Sequence, residues 1–70
     1  MKNNYFYNAA ITFYEAQIAE AKAVLHLYFE NSQGVADHSG ILDEIKTWAA
    51  KLAEAEDILA SLKENFELNK

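Results

Sequence analysis

The groups in this chain that could carry chemistry are two histidines and eleven acidic residues. His26 stands four residues before Glu30, a spacing that puts both on one helix face, where they can share a proton or an ion. Carboxylate-bridged di-iron bundles use Glu-x-x-His instead. The residues three before His26 and His38 are Ala23 and Val35, so that motif is absent. Asp37-His38-Ser39 matches a catalytic triad in composition only, because adjacent residues cannot reach the mutual geometry of nucleophile, base and orienting acid. A capping turn is the expected role of "ADHSG". Glu54-x-x-Asp57 and Glu64-x-x-Glu67 have the spacing of a magnesium chelate on a helix, as in all-α nucleotide pyrophosphohydrolases. No basic cluster or glycine-rich loop accompanies them to hold a phosphate. The expectation is a chain that is not an enzyme, with no catalytic residue, no metal and no cofactor.

The elements that would hold these groups are helices. The 70 residues lack proline and cysteine, and half of them are apolar. A chain of this size builds one domain with a marginal core. Without cysteine it has no disulfides or zinc fingers to support it, which leaves association as the route to stability. Gly34 and Gly40 bracket "GVADHSG", where helical periodicity fails. The flanks are rich in Ala, Leu, Glu and Lys, which favour helix. The expected organisation is a single helical-hairpin domain over 1–70, with a helix over 4–31, a turn over 32–38 and a helix over 39–66. Gly34 suits a left-handed position past the first helix. Asp37 and Ser39 compete to cap the second, with Asp43 and Glu44 near its positive end.

In the second helix Ile41, Ile45, Trp48, Leu52, Ala55, Leu59, Leu62 and Phe66 follow alternating steps of four and three. That is one apolar seam. Asp43, Lys46, Thr47, Ala50, Glu54, Asp57, Ser61 and Glu64 form a solvated back, with Lys51–Glu54 and Asp43–Lys46 as neighbours across one turn. The first helix carries a matching seam of Tyr7, Ile11, Tyr14, Ile18, Ala21, Leu25 and Tyr28, and its polar residues crowd into a narrow strip.

That leaves a second face on the first helix, made of Phe6, Ala10, Phe13, Val24 and Leu27, with Gln17 and Glu20 set among them. One helical partner covers one side only, so this face is expected to meet water in a lone hairpin. A contiguous apolar strip of that length marks an interface, and twofold homodimers are the commonest oligomers. The expected fold is all-α, an antiparallel helical hairpin dimerising into a four-helix bundle with the first helices innermost. The self-association residues are Phe6, Ala10, Phe13, Gln17, Glu20, Val24 and Leu27. Glu20 is read as a rim residue whose head group reaches water. Ala9, Ala16 and Ala23, at strict seven-residue spacing along the edge of the face, would let another helix approach closely.

Charge narrows the partners. The net charge is −5 and arginine is absent, so a cationic surface for phosphate is missing and direct nucleic-acid binding is not expected. The longest charge-free stretches are well short of the roughly 20 apolar residues that span a bilayer, so no membrane partner is expected either.

"GVADHSGILDEI" followed by "LAEAEDILASLKENF" resembles small uncharacterised helical-hairpin proteins encoded by tailed phages of marine bacteria. The resemblance covers roughly the second half of the chain. It rests on a glycine, an acidic residue with His38, and Ala55-Glu56-Asp57, and it implies a phage or bacterial setting without an activity to carry over. The expected function is a non-enzymatic homo-oligomeric protein-interaction module, a small phage or bacterial regulator or adaptor. Its place would be the cytoplasm, the host's where the chain is phage-encoded. The partners would be a second copy, as homodimer or tetramer, and an unidentified protein that meets Asp43, Glu44, Glu54 and Asp57. The alternatives are an acidic decoy of a nucleic-acid-binding groove and a metal- or nucleotide-dependent helical enzyme.

Overall fold

The computed structural model describes residues 4–30 and 38–67. It holds two helices, α1 over Tyr5–Glu30 and α2 over His38–Phe66, packed on each other as a hairpin. Asn4 caps α1: its Oδ1 accepts a hydrogen bond from the Tyr7 backbone N–H at 3.0 Å, and its carbonyl accepts the first helical bond from Asn8 at 2.9 Å. A side-chain oxygen at this position satisfies one of the donors that a helix start leaves open. At the far end of α2 the Glu67 N–H donates to the Lys63 carbonyl, and Lys63 itself places a cation in the last turn, where the helix dipole favours it.

The start of α2 differs from the sequence expectation. The helix opens at His38, so Ser39 lies inside its first turn and cannot cap it from outside. Gly40 is helical, with no positive φ, so the break in periodicity ends earlier than its glycines imply. No acidic residue falls in that first turn. Asp43 and Glu44 therefore sit beyond the reach of a dipole effect that fades within one turn. Gly34 and Asp37, with the rest of the connection, lie outside the described residues.

Two observations set the direction and register of the packing. Leu25 and Leu52 line one shallow groove with Lys22, His26 and Phe29. The Glu67 carboxylate also lies near enough to the Tyr7 phenol to act on its ionisation. The helices are therefore antiparallel, with the start of α1 beside the end of α2. The same register puts Ala21 and Ala55 at one level, and both have 0% exposure. Two methyl-sized side chains at one level leave room for the backbones to approach closely.

Little else is enclosed. Leu25, at 8% exposure, completes the buried set among the described residues, and none of the large side chains is fully buried. The rest of both seams (Tyr7, Ile11, Tyr14, Ile18 and Tyr28 on α1; Ile41, Ile45, Trp48, Leu52, Leu59 and Leu62 on α2) is half-buried. The chain exposes 5418 Å², against roughly 4,400 Å² for a compact monomer of its mass. Its radius of gyration is 15.9 Å, where a compact domain of this length has about 11 Å.

The close approach at Ala21 and Ala55 is open to test. Ala55→Leu should drive the helices apart and cost about 1–3 kcal/mol, measured as a lowered midpoint in urea denaturation. An unchanged midpoint would mean that the backbones are not in contact at that level.

Candidate association face

On α1 the residues expected to associate fall into two rows of heptad spacing. The row nearer α2 holds Ala10, Gln17 and Val24, and all three are half-buried by the hairpin itself. The sequence reading placed them in water; the hairpin covers them in part, and Ile58 of α2, off its own seam, is half-buried as well. The outer row holds Phe6, Phe13, Glu20 and Leu27. Phe6 is 90% exposed, Phe13 58% and Leu27 56%, and Glu20 is exposed beside them. The reason is angular. At 100° per residue the outer row lies about a quarter turn or more from the α1 seam, beyond the reach of a single neighbouring helix. Phe6 is also at a level where α2 has already ended.

Phe13 is nevertheless ordered by a neighbour. Its ring meets Tyr14 edge-on, with centroids 4.9 Å apart and planes at 88°, the arrangement that the ring quadrupole favours. Tyr14 is a seam residue, so the exposed ring is tied to the hairpin core. Ala9, Ala16 and Ala23 border the outer row on its other side, and all are exposed.

Further exposed apolar side chains were not expected from periodicity. Tyr5, Phe29 and Leu42 are 81%, 64% and 52% exposed, and Phe66, assigned to the α2 seam, is 58% exposed. Phe66 is the last residue of α2. Phe29 stands on the opposite flank of α1 from the outer row, on the rim of the Leu25–Leu52 groove.

The polar groups stay dispersed. His26 Nε2 and Glu30 Oε2 are 2.8 Å apart on side chains 73% and 63% exposed, a solvated pair of small energetic weight. Lys51, expected beside Glu54, places its Nζ 4.4 Å from the centroid of the Trp48 ring, a cation–π contact that shields the indole. Asp43, Glu44, Glu54 and Asp57 are all exposed on α2, and the Asp43 carbonyl accepts a hydrogen bond from Thr47 Oγ1 at 3.0 Å. Among the described residues no three or more His, Asp or Glu side chains converge to hold a metal ion.

One ionisation is perturbed. Partial burial, and then the Glu67 carboxylate, hold the Tyr7 phenol above its ordinary value of 10.0. The folded chain thus keeps that proton more tightly than the unfolded chain, so this contribution to stability is present below pH 10 and is lost as pH rises through the folded value. Glu67→Gln should let Tyr7 ionise at lower pH, followed by NMR titration of ring-labelled tyrosine. A Tyr7 midpoint indifferent to the substitution would separate the helix ends.

Among the described residues no helix is long and apolar enough to cross a membrane. In comparisons with known proteins, no family model, no curated protein and no solved structure matches the chain.

Proposed function

We propose that the chain is a non-enzymatic interaction module that associates with itself through α1 and presents the acidic side of α2 to a protein partner, as a small regulator or adaptor. One observation carries this reading: among the described residues, an interior of two alanines and one leucine beside a row of bare Phe6, Phe13 and Leu27. Burying a large apolar side chain contributes roughly 1.5–3 kcal/mol. With 90%, 58% and 56% of these three still exposed, covering them contributes several kcal/mol per copy on that scale. A second copy supplies the same surface and doubles the gain, which is of the order of the ~4–15 kcal/mol that association costs. Four helices around a shared centre give the four-helix bundle. The resemblance to phage hairpin proteins implies a phage or bacterial setting, in the cytoplasm, the host's where the chain is phage-encoded.

The acidic-decoy reading has less support. Asp43, Glu44, Glu54 and Asp57 are exposed, but Lys46 and Lys51 are exposed among them. Over that stretch of roughly 20 Å of helix the two signs interleave, which is a poor copy of a phosphate row.

Sedimentation equilibrium of the full chain beside Phe13→Glu tests the proposal. The wild type should be a dimer or larger, and the substitution should weaken association at least ~100-fold, because it buries a charge without a partner. Raising the salt should leave the wild-type dimer intact, since apolar docking is not screened. A monomeric wild type would overturn the proposal.

A further inference from the structure

The outer row of α1 has a symmetry of its own. Phe6, Phe13, Glu20 and Leu27 are spaced by seven, and the sequence midpoint of the row falls between Ala16 and Gln17. The two rows beside it have nearly the same centre. Ala10 and Val24 lie equally far from Gln17, and Ala9 and Ala23 lie equally far from Ala16. The apolar members of the three rows thus share one centre close to the middle of the helix, while Glu30 continues the alanine row beyond it at the helix end. Such a surface matches itself when a second helix is laid across it in the opposite direction, with the twofold axis at that point.

We infer that the cover of the α1 face is α1 of a second copy, packed antiparallel and in register about Ala16 and Gln17. This inference rests on the self-association proposed above and assigns its geometry. In that arrangement Phe6 meets Leu27 of the second copy and Phe13 meets Glu20. Ala10 meets Val24, Ala9 meets Ala23, and Ala16 meets Ala16.

Size supports the pairing. Phe6 lies against Leu27 at both ends, the small Ala10 receives Val24, and the exposed alanine row permits the close approach that the buried Ala21–Ala55 level already shows inside the hairpin. Charge supports it too. A parallel arrangement would set Glu20 directly on Glu20, two like charges in an apolar seam, whereas the antiparallel one moves the two carboxylates to opposite sides of the axis. It also runs the two helix dipoles in opposite directions. α1 runs about 39 Å over its 26 residues, long enough for the three rows to stay side by side from Phe6 to Leu27. An anionic lipid surface is a poor occupant, because α1 carries Glu15, Glu20 and Glu30 against Lys22 alone.

The chain has no cysteine, so an introduced thiol reports its own position. Single variants Ala9→Cys, Ala16→Cys and Ala23→Cys would be made in the full chain, checked for helix content by circular dichroism and exposed to mild oxidation. Sedimentation would be run on the reduced proteins. Gln17→Cys replaces Ala16→Cys if the latter fails to fold. Ala16→Cys should cross-link to itself at least ~10-fold faster than Ala9→Cys or Ala23→Cys alone, because pairing raises the effective thiol concentration. An equimolar mixture of Ala9→Cys and Ala23→Cys should form the mixed dimer.

Self-linkage of Ala9→Cys and Ala23→Cys would overturn the antiparallel register while leaving self-association standing. A dimer in sedimentation with no linkage at any of these positions would assign the contact to another surface. A monomer with no linkage would overturn both the register and the association beneath it.

Discussion

The close contact of Ala21 with the level of Ala55 is the constraint on which the rest of the structure depends. Both are fully buried, and with Leu25 they make up the enclosed interior of the described chain. Alanines at the point of closest approach let two long helices lie side by side with good backbone proximity. They also contribute little apolar area, because a methyl group removes far less surface from water than a leucine or phenylalanine does. The hairpin is thus well defined in geometry and thinly supported in energy.

The large side chains are displaced outward as a result. Phe6, Phe13, Leu27, Phe29 and Phe66 are all more than half exposed, while Trp48 is half-buried with Lys51 laid over its ring. Ordinary small domains place such residues in the interior. Here the two-helix architecture has one line of contact, and its sides accommodate only the flanks of Ala10, Gln17, Val24 and Ile58. The proposed association follows from this geometry: apolar area that a second helix cannot cover is available to a third.

Much of the fold was legible because both helices follow steps of four and three for most of their length. Every α1 seam residue from Tyr7 to Tyr28 is half-buried or buried, and so is the α2 seam from Ile41 to Leu62. The outer row was legible for the same reason, as a second stripe on a helix with too narrow a polar strip. What was lost lies at edges and ends. A single-seam reading gives each helix one line of contact and cannot show how far the neighbour reaches around it, so the partial cover of Ala10, Gln17, Val24 and Ile58 was missed. Periodicity is equally blind to where a helix stops. Phe66 keeps the right phase but is exposed at the end of α2, and the first turn of α2 accommodates Ser39 and Gly40, which by residue type favour caps and turns. Lys51 was placed beside Glu54 by sequence spacing, and its ammonium lies over the Trp48 indole.

The thin interior has a consequence for the life of the chain in a cell. Where the enclosed core of the described residues is two alanines and a leucine, the folded population follows mass action in whatever binds the folded form. Dilute chains open more often and are cleaved by proteases in proportion to the open fraction, while abundant or captured chains persist. On the association proposed above, turnover would act as a meter of dosage, clearing copies that have found no companion and sparing those that have.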